Sequence, residues 1–177
     1  MNNYGKARRQ GTLVLISFCT LAVILAAQSS TKDQGQAQET QVRGYWVDPS
    51  TGLMWAGKDN GKDVNWHNAM KYCRNLRLAG YSGWRLATLG ELAGIYDKSA
   101  EAPGENLRSP WHEAEPMTFH VKGGLFLTGW EWSSNLRSEH SGYGWYVNFN
   151  EGRADDSDEL GFETNKHALC VRNDLDR

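Results

Sequence analysis

Gly80-Tyr-Ser-Gly-Trp-Arg-Leu-Ala-Thr-Leu-Gly-Glu-Leu92 places a helix stop, a tryptophan-bearing turn and a helix start within thirteen positions. Gly80 suits the left-handed conformation that ends a helix, and Ser82-Gly83 is turn chemistry. Thr88 and Glu91 stand three apart, the spacing at which each side chain can hydrogen-bond the other's backbone amide and cap a helix start. Leu89, Leu92 and Ile95 follow at helical spacing, predicting a second helix from about Leu89 to Tyr96. Local signals that agree so closely describe a chain with one fixed fold.

Upstream, Asn65 can cap a first helix whose apolar positions Trp66, Ala69, Met70, Cys73 and Leu76 recur every three or four residues. Before it, Tyr45-Trp-Val47 and Leu53–Trp55 read as short strands joined by the turn Asp48-Pro-Ser-Thr-Gly52. Downstream, Lys98–Gly124 holds three of the four prolines and little periodicity, and a loop of that length is usually functional or mobile. Leu125–Leu127, Glu131–Ser133, Gly144–Phe149 and Ala168–Arg172 read as further strands. Two early helices, a long loop and closing antiparallel strands make an α+β plan.

The N-terminus reads as an export signal, residues 1–29. Lys6, Arg8 and Arg9 precede the apolar run Leu13–Ala27, which is too short for a comfortable membrane span and right for a signal core. Cleavage after Ser29 is the expectation, with an uncleaved membrane anchor as the alternative. Residues 30–42 carry no large apolar side chain before Val42 and read as a disordered polar spacer. One domain, 43–173, follows, with a short tail at 174–177. Losing residues 1–29 removes three basic and no acidic residues, shifting the formal charge from −2 to −5. An acidic domain lacks the electrostatic footprint of a nucleic-acid binder, so no nucleic-acid partner is expected. An exported chain left with two cysteines most simply pairs them; two separate buried thiols are the alternative for Cys73 and Cys170.

Six pieces occur in order: Thr51-Gly-Leu-Met-Trp55, Trp66–Cys73 with Leu76–Gly80, Gly83–Leu92, Trp132-Ser-Ser134, Trp145–Phe149 with Gly152, and Cys170-Val-Arg172. Together they resemble the family named for the C-terminal domain of the Legionella collagen-like protein, over roughly residues 43–173. Ala87 stands where the family usually has proline, which would loosen the approach to the second helix. The resemblance implies a C-type-lectin-like fold related to formylglycine-generating enzymes. It also implies a disulfide between first helix and last strand, the positions of Cys73 and Cys170, and a bacterial surface adhesion or recognition role.

Catalytic patterns are missing from the sequence. Gly80-Tyr-Ser-Gly83 falls short of a nucleophile elbow, His112-Glu113 lacks the second histidine of a zinc-protease helix, and no glycine-rich phosphate loop occurs. The acidic run Asp155-Asp-Ser-Asp-Glu159 offers oxygen ligands in Asp155, Asp156 and Asp158 but not the spacing of a calcium loop, and reads as a solvated acidic turn. The triplets by which calcium-dependent lectins bind sugar are replaced by Glu115-Pro-Met117 and Trp132-Ser-Ser134. No metal or other cofactor is expected.

The tryptophans remain. Trp55, Trp66, Trp84, Trp132 and Trp145 fall on the family's motif positions and read as core or turn anchors, whereas Trp46, Trp111 and Trp130 do not. Trp111 in the long loop, with His112 and Glu113, and Trp130 are the candidate ligand contacts, because an aromatic face amid polar groups suits a sugar ring or a protein hot spot. A second candidate surface is basic: Lys71, Arg74 and Arg77, with Arg85 expected to make a structural hydrogen bond. The expectation is an exported, non-catalytic module, periplasmic or at the cell surface, that binds a glycan or a protein. The alternatives are an enzyme related to the formylglycine-generating enzymes and a structural envelope protein.

Overall fold

The computed structural model describes residues 34–102 and 118–173, and for residues 154–156 the backbone alone. In chain order the elements are helix α1 (residues 34–43), strands β1 (Tyr45–Val47) and β2 (Leu53–Ala56), helix α2 (Trp66–Asn75), strand β3 (Arg85–Leu86) and helix α3 (Leu89–Gly94). Strands β4 (Trp130–Leu136), β5 (Tyr143–Asn148), β6 (Arg153–Glu159), β7 (Lys166–His167) and β8 (Cys170–Asn173) complete the chain. The expected α+β class holds.

Alternation explains the first sheet, whose order is β1-β2-β8-β3. Along β2 and β8, Met54 and Cys170 turn to one face while Trp55 and Val171 turn to the other, as successive strand residues must. One face meets a core with Leu92, Ile95, Leu125, Leu127 and Phe149; the other meets Ala69, Cys73, Trp84 and Trp132. The sheet is thus covered on both sides, with the final strand near its middle.

Helix α2 begins where Asn65 accepts from the Asn68 amide at 2.9 Å, and its buried residues are Ala69 and Cys73. Cys73 is bonded to Cys170 across a Cα separation of 5.3 Å, settling the choice between one crosslink and two thiols. Helix α3 has the capping box read from its sequence: Thr88 accepts from the Glu91 amide, and Glu91 accepts from the Thr88 amide at 2.8 Å. Arg85 adds two hydrogen bonds to the same carboxylate, at 2.6 and 2.8 Å. Partial burial acts to raise the Glu91 carboxyl, but the Arg85 and Thr88 bonds outweigh it and bring it down to about 2. Ala87, in place of the family's proline, is fully buried and accepts from the Ser134 amide at 2.7 Å, so the approach to α3 is not loose.

The second sheet has the order β6-β5-β4-β7, with β7 parallel to β4. Two expectations change here. The acidic run 155–159 is not a turn but part of β6, paired antiparallel with β5, where backbone pairing overrides poor strand propensity. Leu125–Leu127 forms no strand; Leu125 and Leu127 are buried, while Phe126 makes an isolated bridge to Lys58.

A third difference lies at the N-terminal edge. The spacer was expected to be disordered through residue 42, yet residues 34–43 are helical. Docking needs no bulky apolar group: Thr40 is buried and donates to the Gly123 carbonyl at 2.7 Å. A side chain on Gly124 would collide with Ala37, and Gly123 has φ of 76°, so small residues let the backbones approach closely. Among the described residues no helix is long and apolar enough to cross a membrane. The expected signal peptide lies outside them.

Two outcomes follow from this packing. Replacing both Cys73 and Cys170 with alanine should lower unfolding stability by about 3–5 kcal/mol in a denaturant titration; an unchanged midpoint would contradict the bond. Glu91 has a depressed folded value, so its contribution is complete above about pH 4.5 and fades as pH falls toward 2. Glu91→Gln should therefore cost ~1–3 kcal/mol near neutrality, with the gap closing in acid; a gap constant with pH would contradict the assignment.

Candidate functional site

The helical period builds a concavity along α2. Asn68, Lys71, Tyr72 and Asn75 fall at i, i+3, i+4 and i+7 on α2, a stripe flanking the face that buries Ala69 and Cys73. They form one wall of an open groove of about 650 Å³; Lys62, Asp63 and Val64 on the approach to α2, Leu76 and Arg77 beyond it, and Glu163 complete the lining. Val64, Tyr72 and Leu76 supply an apolar floor and the rest a polar rim, the usual make-up of a ligand cleft.

Charge within the groove is unevenly committed. Asp63 accepts from the Asn165 amide at 3.0 Å, and Glu163 accepts from the Asn65 side chain at 2.9 Å. Lys62, Lys71 and Arg77 make no salt bridge among the described residues. Burial raises the Tyr72 hydroxyl, and the charge of Asp59 raises it further, so it stays a neutral donor.

Behind this groove sits a polar network. Asp59, almost fully buried, accepts from the Thr128 amide at 2.6 Å, the Gly61 amide at 2.8 Å and the Thr128 hydroxyl at 2.9 Å. His167 bridges inside and outside: Nδ1 lies 3.2 Å from Asp59 Oδ2, and Nε2 lies 3.3 Å from Asp63 on the groove rim. Burial acts to raise Asp59, but its bonds to His167, Thr128 and Gly61 and the His167 charge prevail and hold it below the usual carboxylate range. Gly129 makes room for the imidazole, since a Cβ there would come within 2.5 Å of the ring.

Of the residues picked out by sequence, Trp111, His112 and Glu113 lie outside the described residues. Trp130 is half-buried and already engaged: its ring stacks on Tyr146 at a centroid distance of 5.7 Å, with the Lys166 ammonium 4.5 Å from its centre. The same ammonium sits 4.0 Å from Tyr146 and 5.0 Å from Phe162, so the aromatic cluster encloses a cation of its own. The Asp155 and Asp156 side chains are outside the described set, and Asp158 lies 3.4 Å from Lys166. Among the described residues no group of three His, Cys, Asp or Glu side chains is placed to hold a metal ion. The basic candidates divide, Lys71 and Arg77 facing the groove while Arg85 pairs with Glu91. Lys62, Tyr72 and the two asparagines escaped sequence reasoning, although the spacing of Asn68, Tyr72 and Asn75 with Lys71 on one helix stripe was legible.

Residues 44–172 match the Lcl C-terminal domain family, and the chain belongs to that family. No curated protein matches the chain.

The packing of Trp130 yields a clear outcome. Trp130→Ala should lower stability by ~2–4 kcal/mol, because it removes a stacked ring and a cation–π contact and leaves a cavity. A variant that melted like the parent would show that the ring is free for another role.

Proposed function

We propose that this member of the Lcl C-terminal domain family is an exported, non-catalytic recognition module that binds a glycan or a protein at an outer surface, and that the groove along α2 is its contact. The observation that carries this reading is the imbalance inside the groove. Its two carboxylates have partners within the fold, while Lys62, Lys71 and Arg77 make no salt bridge among the described residues and surround an apolar floor. Such a surface favours a partner that offers both acceptor oxygens and an apolar face, as sugar acids and acidic protein loops do. The domain's overall negative charge favours a few directed contacts over a broad polyanion.

Support for the finer fold assignment, a C-type-lectin-like domain, comes from the crosslink between α2 and the final strand β8. That bond also supports export, since structural disulfides persist in oxidising compartments. It weighs against the thiol-based enzymatic alternative, because Cys73 and Cys170 are buried and consumed in one bond.

The test is binding to a glycan array and to a panel of purified surface proteins, using the parent chain and the double variant Lys71→Glu/Arg77→Glu. The parent should bind a subset of probes carrying acidic groups, and the double variant should bind those probes at least about tenfold more weakly, or ~1.4 kcal/mol, with an unchanged melting curve. Binding that survives the charge reversal would move the contact elsewhere, and a parent that binds nothing would overturn the recognition reading.

A further inference from the structure

Glu131 is the second residue of β4, with none of its surface exposed, and neither carboxyl oxygen has a well-formed hydrogen bond from a protein donor. An ionised carboxylate left dry in this way is among the costliest states a core can hold. On either side in sequence stand Trp130 and Trp132. Across the sheet its register neighbours are Val147 on β5 and His167 on β7. The groups that act on its charge are the Asp59 carboxylate, close enough for a side-chain hydrogen bond, and the Leu169 amide.

Asp59 has the opposite surroundings. It takes amide and hydroxyl donors from Thr128 and Gly61 and faces His167; Asp63 stands on the far side of His167, and Tyr72 of α2 feels the Asp59 charge. Two carboxyls in contact within the core cannot both be ionised cheaply, and such pairs divide into one acid and one base. Here the donors select Asp59 as the anion, leaving Glu131 to carry the proton.

We propose that Glu131 is a neutral acid donating its proton to Asp59, and that Glu131, Asp59 and His167 form a pH-sensitive catch fastening residues 58–64 to β4 and β7. The catch opens when base removes the Glu131 proton to solvent and sets two carboxylates against each other. Burial and the neighbouring Asp59 both push the Glu131 carboxyl well above its ordinary range, in agreement with this arrangement. Residues 58–64 are also held by an isolated bridge from Lys58 to Phe126, by the Asp59 amide donating to the Phe126 carbonyl at 3.2 Å, by the Val64 amide bonding the Lys166 carbonyl and the Trp132 indole donating to the Val64 carbonyl, both at 2.9 Å, and by Asn60 and Asp63 accepting from the Ala168 and Asn165 amides at 2.7 and 3.0 Å. Because Lys62, Asp63 and Val64 belong to the groove wall, opening the catch deforms that wall whatever the groove binds.

The sign is fixed by linkage. A carboxyl raised in the folded state stabilises it fully below the ordinary carboxylate range, and that stability is lost as pH rises through the folded value. Amide hydrogen exchange of residues 58–64, corrected for intrinsic rates, should show an opening equilibrium that grows by up to about tenfold per pH unit across this window. In Glu131→Gln, which keeps a donor toward Asp59 but has nothing to titrate, the same amides should show no such slope. Should that variant fail to fold, the carboxyl carbon of Glu131 in the ¹³C-labelled parent gives the answer directly, as a protonated acid at pH 7. An ionised Glu131 signal at pH 7, exchange independent of pH in the parent, or a parent melting point that falls on adding a chelator would each overturn the proposal, the last by showing a metal ion where the proton is placed.

Discussion

Helix α2 meets the rest of the molecule through buried Ala69 and Cys73, with Trp66, Met70, Tyr72 and Leu76 packed around them, and the covalent bond from Cys73 to Cys170 turns that face into a fixed attachment. Cys170 belongs to β8, which has β2 on one side and β3 on the other. The helix is therefore tied to an interior strand of the sheet and not to an edge. A crosslink closing so long a segment of chain removes a large share of the unfolded state's freedom. It also sets the position of the groove stripe, in which Asn68, Lys71 and Asn75 are exposed and Tyr72 is half-buried.

The groove and the buried network depend on the same few elements. Residues 58–64 run from the end of β2 toward α2, giving Asp59 to the core and Lys62 and Asp63 to the rim. His167 touches both carboxylates, so interior proton chemistry and exterior shape share one segment. Glu131 of β4 and Thr128 on the approach to that strand supply the other half, and Gly129 lets the imidazole approach.

Much of this was legible in the sequence wherever the cause is local. The Asn65 cap, the Thr88–Glu91 box and the apolar stripe of α2 depend on residues within four positions of each other, so their spacing states their structure. The strand character of 155–159 was hidden because it comes from pairing with β5, a contact that leaves no periodic trace among acidic side chains. Helix α1 was hidden for another reason. It docks by backbone proximity, Ala37 against Gly124 and the Thr40 hydroxyl on the Gly123 carbonyl, not by the large apolar groups whose absence suggested disorder. The groove was half visible: Lys71 and Arg77 stood out as charges, but only the fold brings Lys62, Tyr72 and Glu163 beside them. Trp130 looked like a spare aromatic because the Lys166 ammonium that occupies its face lies 36 positions further along the chain.

The dependence of the groove on the covalent anchor is open to one direct measurement: amide hydrogen exchange across the whole domain, compared between the oxidised protein and the Cys73→Ala/Cys170→Ala variant under conditions where both are folded. If the bond fixes α2, residues 66–75 lose the most protection while β4 and β5 keep theirs, since local opening follows local contact. Equal loss across both sheets, or none in α2, would contradict the claim that this single bond sets the position of the binding face.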